Sequence, residues 1–274
     1  MEYGVVKLIE AALAEDIGEG DVTTEATIPV DAVSTAVILA KQDLVLAGID
    51  ICRQVFRTID RGIQFNVLYQ DGARVAKSAE IARVSGNTRA LLSGERVALN
   101  LLQHLSGIAT LTSKYVQHVS GTHARILDTR KTVPGLRHLE KYAVRMGGGQ
   151  NHRMGLYDMV LIKDNHIKAS GGITKAVARA RKKAGHLRIE VETGTLEEVR
   201  EALDAKADII MLDNMQNDVM RKAVALINGR AVVEASGNVT LETVRDIAET
   251  GVDWISSGSL THSAPAADIS MKIM

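Results

Sequence analysis

The sequence predicts an α/β protein in two parts, a small N-terminal α+β domain followed by a parallel α/β barrel. Three observations carry this. The chain has 274 residues, enough for one large barrel or two modest domains. Its first hundred residues mix helical and strand patterns. From residue 125 onward, short β-rich runs alternate with amphipathic stretches, the pattern of strands joined by helical crossovers.

In the first part, the spacing predicts a helix over 3–15, then a turn-rich GEGDVTT. Apolar runs at 34–40 and 44–47 follow, with a short helix at 49–59 and strands at 63–68 and 80–84. Over 93–119, Leu101, Leu105, Ile108, Leu111 and Tyr115 recur at helical spacing, a helix expected to bridge the two parts unless Gly107 interrupts it. Six strands are then predicted at 125–127, 159–162, 188–191, 209–212, 231–233 and 253–255. Helices follow all but the last, at 136–146, 173–184, 196–203, 217–227 and 241–249. No glycine-rich dinucleotide turn is visible, which favours a barrel, complete or incomplete, over a Rossmann sheet.

Composition excludes several functions. Hydrophobic residues make up 46% and charged residues 24%, so the chain folds; 33 Lys and Arg balance 33 Asp and Glu, so no global field draws it to nucleic acid or an anionic membrane. One Trp, five Tyr and two Phe leave little for base stacking. The acidic N-terminal stretch lacks the pattern of an export signal, and the longest charge-free run, 97–113, holds too many polar groups for a membrane span. The single Cys52 excludes an internal disulfide, and the expected compartment is the cytoplasm.

Polar residues follow every predicted barrel strand: Asp128, Arg130 and Lys131; Lys163 and Asp164; Glu192; Asp213 and Asn214; Ser236, Gly237 and Asn238; then Ser256 to Ser259. Any one set is explained by capping or turns; six on one rim predict a convergent pocket, because βα loops at the strand ends build the sites of barrels. Arg130, Lys131, Lys163, His152 and Arg153 form a cationic group suited to an anionic ligand. Glu192 and Asp213 could hold a divalent cation or ribose hydroxyls, and the Ser-Gly turns let backbone N–H groups approach a phosphate.

These residues sit in longer motifs. SGERVALNLLQHLSGIAT, the forty residues LDTRKTVPGLRHLEKYAVRMGGGQNHRMGLYDMVLIKDNH, IIMLDNM, EASGNV, GVDWISSGSLTHSAPAADIS and the early EDIGEGDVTTEATIP closely resemble the quinolinate phosphoribosyltransferase family over essentially the whole chain. The resemblance implies an N-terminal α+β sandwich domain (1–107, joined by the tail 263–274) and an incomplete, six- to seven-stranded parallel α/β barrel (108–262). It implies transfer of a phosphoribosyl group from 5-phosphoribosyl 1-pyrophosphate to quinolinate, with Mg²⁺ and loss of CO₂, to form nicotinate mononucleotide for NAD synthesis. By the same resemblance, Arg130, His152, Arg153 and Lys163 bind quinolinate, and Arg96 is contributed by the neighbouring subunit of a homodimer. Lys131, Glu192, Asp213, Ser236, Gly237, Gly258 and His262 serve the phosphoribosyl donor. Lys163, Glu192 and Asp213 are the expected catalytic groups, the last two also serving the metal. A sugar-phosphate-binding barrel without turnover and a nicotinate transferase explain less, since neither calls for so many cations together with divided roles around one rim.

Overall fold

The computed structural model describes residues 3–274. The chain begins with α1 (Tyr3–Ile17) and α2 (Val22–Thr27). The second corrects the turn expected at GEGDVTT: the Asp21 carboxylate accepts from the Thr24 N–H at 3.0 Å and starts a helix where composition suggested only a loop. Next come β1 (Val33–Ala40), β2 (Leu44–Val45), α3 (Ile49–Ile59), β3 (Gln64–Val67), β4 (Arg74–Val75) and β5 (Glu80–Asn87). The two-residue β4, which pairs with β2, had no sequence signal.

The bridging helix α4 spans Thr88–His118, beginning five residues before the expected start, and Gly107 does not interrupt it. The reason is close approach. A Cβ at Gly107 would lie 2.1 Å from the Pro265 carbonyl oxygen, and the Ala267 N–H donates to the Gln103 carbonyl at 2.9 Å. The glycine therefore makes room for the returning tail.

The second part runs β6 (Arg125–Leu127), α5 (Arg137–Met146), β7 (Val160–Ile162), α6 (Asp164–Ser170), α7 (Ile173–Ala184), β8 (Ile189–Thr193), α8 (Leu196–Asp204), β9 (Ile209–Asp213), α9 (Asn217–Ile227), β10 (Val232–Ser236), α10 (Val244–Ala248), β11 (Trp254–Ser256) and α11 (Ser259–His262). All six strands were expected within a few residues. Two helices were not: α6, where the His166 ring accepts from the Lys163 N–H at 3.0 Å, and α11, which follows the strand expected to have no helix after it. The tail ends in β12 (Ile269–Ile273).

Backbone packing divides the chain into two units. The first comprises residues 1–111, 145–148 and 264–274; the second comprises 112–144 and 149–263. In the first, an antiparallel sheet has the order β12-β1-β5-β3, so the C-terminal strand completes it, with Ile38 opposite Met271. In the second, six parallel strands have the order β6-β11-β10-β9-β8-β7. Among the described residues β6 and β7 share no ladder, only β6 makes an isolated bridge from Leu127 to Gln150, and the barrel is incomplete there. Strands β8, β9 and β10 are buried along nearly their whole length, as expected of barrel strands covered outside by helices. No helix among the described residues is long and apolar enough to cross a membrane.

Candidate active site

Side chains alternate along a strand, so residues two apart share a face. In β8 that rule puts Glu190 and Glu192 on one face, opposite to Ile189 and Val191. In β10 it puts Val232, Glu234 and Ser236 together. Above these strands lies a cavity of about 810 Å³ in the second unit, lined from all six strand ends: Arg130 and Lys131 after β6, Lys163 after β7, Glu192 on β8, Asp213 on β9, Ser236 on β10 with Gly237 after it, and Gly258 with His262 after β11. His152 and Arg153 also line it. Eleven of the twelve candidate residues thus converge. Arg96 does not: it is exposed on α4 and does not line the cavity.

The cationic side is held tightly and left wanting. Arg130 Nε is buried with no hydrogen-bond partner among the described residues. Arg153 donates through Nη1 to the Met159 carbonyl at 3.3 Å; burial, and then the charge of Arg130, pull its pKa down. Two neighbouring guanidiniums in this state favour an anion that would pair with both. Lys163 Nζ reaches across to Glu192 Oε2 at 3.1 Å, a half-exposed cation against a largely covered acid.

The opposite side is built from turns. Gly237 has φ +95°, and a Cβ there would lie 2.2 Å from Asn214 Oδ1, so the turn after β10 requires glycine. Asn238 donates to Asn214 at 3.0 Å, and Asn214 donates to Asp213 Oδ2 at 2.8 Å, which orients that carboxylate. Ser256 Oγ donates to Ser236 Oγ at 3.1 Å, and Thr261 Oγ1 donates to the Lys131 carbonyl at 2.7 Å, joining the loops after β11 and β6.

Three buried groups carry no sequence prediction. Lys141, wholly buried on α5, pairs with the wholly buried Asp128. Asp128 also accepts from the His152 N–H at 2.9 Å and from Asn151 Nδ2 at 2.7 Å, while Lys141 Nζ donates to the His152 carbonyl at 3.1 Å. This pair holds the backbone of His152, within GGGQNHR, by both its N–H and its carbonyl. Glu190 and Glu234, both 0% exposed, approach His152 Nε2 at 3.0 and 3.2 Å without a straight hydrogen bond to either. Burial would pull the His152 pKa down, but the two carboxylates overrule it, while burial, then the charge of Glu234, push Glu190 to about 7. Both shifts place an extra proton among the three groups. The Arg153 N–H donates to His152 Nδ1 at 2.8 Å, so Nδ1 is bare: the ring is neutral with its proton on Nε2, and the extra proton is held by the two carboxyl groups. The period-two rule inside IEVE and VVEAS would have found both acids, each two residues before a rim residue; Lys141 gave no such sign.

Glu192 and Asp213 offer hard oxygen donors on neighbouring strands, and a Mg²⁺ that keeps several waters needs only one or two such carboxylates beside a ligand's phosphates. They fit. The one group of three side chains among the described residues whose ligand atoms lie within 4.8 Å of one another is His152, Glu190 and Glu234, beneath the rim.

Fold and cavity together define an α/β-barrel protein whose cavity, at the carboxyl ends of the strands, sets cations against acids and small turns. Residues 21–106 match the description of the quinolinate phosphoribosyl transferase N-terminal domain, and residues 108–272 that of the C-terminal domain. The chain belongs to the quinolinate phosphoribosyl transferase family. It is 47% identical to a mitochondrial, decarboxylating quinolinate phosphoribosyltransferase of Nicotiana tabacum, over 99% of this chain and 82% of that one. It is 48% identical to a chloroplastic, carboxylating nicotinate-nucleotide pyrophosphorylase of Arabidopsis thaliana, over 99% of this chain and 83% of the other. Among solved structures, the nicotinate-nucleotide pyrophosphorylase of Francisella tularensis superposes with a TM-score of 0.96 at 43% identity, covering 99% of this chain and 96% of its own.

Proposed function

We propose that the chain transfers the phosphoribosyl group of 5-phosphoribosyl 1-pyrophosphate to quinolinate, releasing pyrophosphate and CO₂ and leaving nicotinate mononucleotide for NAD biosynthesis. The observation that carries this reading is the buried, unpartnered Arg130 Nε beside Arg153, in a cavity whose other wall is acids and Ser-Gly turns. Quinolinate has two adjacent carboxylates, and bidentate guanidinium contacts are the strong way to hold them.

In this reading Arg130, His152, Arg153 and Lys163 form the quinolinate site. Lys131, Ser236, Gly237, Gly258 and His262 hold the phosphates of the donor, and Glu192 and Asp213 face its ribose. Quinolinate frees Lys163 from Glu192, leaving that carboxylate beside the reacting carbon. The lone pair of the ring nitrogen forms the bond to C1 as the C1–O bond to pyrophosphate breaks, and the carboxylates of Glu192 and Asp213 favour the positive charge that develops at C1. Alkylation makes the ring nitrogen cationic. The C–C bond to the neighbouring carboxylate then breaks, its electron pair staying on the ring carbon next to that charge until a proton from water replaces CO₂. Glu192 and Asp213 would also hold Mg²⁺, which supplies charge to screen the departing pyrophosphate when bound.

A homodimer in which Arg96 completes the partner's quinolinate site accounts for an exposed arginine with no hydrogen bond or ion pair among the described residues. The cytoplasm is the compartment we assign, on the single, buried, free Cys52. The test of function is incubation with quinolinate, the donor and Mg²⁺. Nicotinate mononucleotide should form, and nicotinate should be at least about a hundredfold poorer in kcat/KM, because unpaired buried cations cost on the order of 3 kcal/mol. Comparable rates on the two acids would overturn the assignment.

A further inference from the structure

Five contacts converge on His152. Its N–H donates to Asp128 at 2.9 Å, its carbonyl accepts from Lys141 at 3.1 Å, Nδ1 accepts from the Arg153 N–H at 2.8 Å, and Nε2 lies between Glu190 and Glu234 at 3.0 and 3.2 Å. The ring also stands edge-on to Trp254, with centroids 6.5 Å apart. Its side chain is only 6% exposed, so it lines the cavity without turning a nitrogen into it.

We propose that Glu190 and Glu234 are positioning residues of the cationic half of the cavity: sharing the proton on Nε2, they lock the imidazole so that it braces Arg153 and makes no charged contact with the substrate itself. All four of their carboxylate oxygens are buried with no hydrogen-bond partner among the described residues, and Nε2 stands 3.0 and 3.2 Å from one oxygen of each. Swinging the ring toward a ligand would strand two buried acids, a larger loss than one ligand contact returns. Because Arg153 follows His152 directly and donates its N–H to the ring, locking the ring sets the origin of the Arg153 side chain. The inference rests on the proposed function, in which that guanidinium takes a quinolinate carboxylate.

The test compares two variants with the unaltered enzyme. Glu190→Gln keeps an oxygen acceptor of the same shape in the same place. The double variant Glu190→Leu with Glu234→Leu removes both acceptors. Steady-state kinetics should show the double variant raising KM for quinolinate by about tenfold or more, with KM for the phosphoribosyl donor within about twofold, while Glu190→Gln stays within about threefold on both. Nitrogen-15 NMR of histidine-labelled protein at neutral pH should show His152 protonated at Nε2 and bare at Nδ1, in both the unaltered protein and Glu190→Gln.

An unchanged quinolinate KM in a folded double variant would overturn the proposal, as would a proton on Nδ1. So would a stoichiometric metal ion in the purified protein that Glu190→Gln loses, since that would make the triad a metal site. Should the double variant fail to fold, the NMR result decides. A protein that does not turn over quinolinate at all sinks the proposed function, while the same NMR spectrum still reports on the ring.

Discussion

Arg130 and Lys163 end neighbouring tasks on the cationic wall, one with a buried N–H awaiting a partner and one occupied by Glu192. Removing either should damage the quinolinate step in particular. Arg130→Ala and Lys163→Ala are each expected to lower kcat/KM for quinolinate by about a hundredfold, with little change in KM for the donor. Gly258→Val should do the reverse. A Cβ at Gly258 would lie 2.7 Å from Lys131 Cδ and 3.1 Å from His262 Nε2, so a branched side chain crowds two groups assigned to the donor. Varying each substrate in turn measures this, and an unchanged donor KM in Gly258→Val would remove the phosphate role from that turn.

At the scale of elements, α4 shows a glycine retained against its own propensity. Alanine in a helix interior is normally about 1 kcal/mol better than glycine. At position 107 the added methyl would meet the Pro265 carbonyl oxygen at 2.1 Å, a backbone atom that cannot swing aside as a flexible side chain would. Overpacking of this kind costs about 1–3 kcal/mol and outweighs the propensity gain. Gly107→Ala should therefore lower the urea midpoint, and a stabilised variant would show that the tail shifts at no cost.

At the scale of the molecule, the proposed exchange of Arg96 between subunits makes activity a property of the pair. Arg96→Ala and Glu192→Ala homodimers should each be nearly inactive. In a mixed dimer one site unites an intact barrel with an intact Arg96 while the other carries both defects. Random reassociation of equal amounts makes about half the dimers mixed, so roughly a quarter of the original activity should return. No recovery in verified heterodimers would assign Arg96 to its own chain or to no site.

Local spacing by itself determined much of this protein. The alternation of strands and helices, all six parallel strands and the rim residues that follow them are legible because period and turn chemistry are local properties. The rim converged for the same reason: parallel strands put all their carboxyl ends on one side. What spacing could not show is which buried polar groups meet. Asp128 finds Lys141 thirteen residues away, and Glu190 and Glu234 find His152 across the barrel, because strand order and stagger bring them together. Gly107 left the continuity of the bridging helix open in the sequence, and only the tail returning against it explains the glycine. Only the tertiary structure decided that His152, a cation by its place in the sequence, spends both ring nitrogens on the protein, since a buried acid must find its partner wherever the fold supplies one.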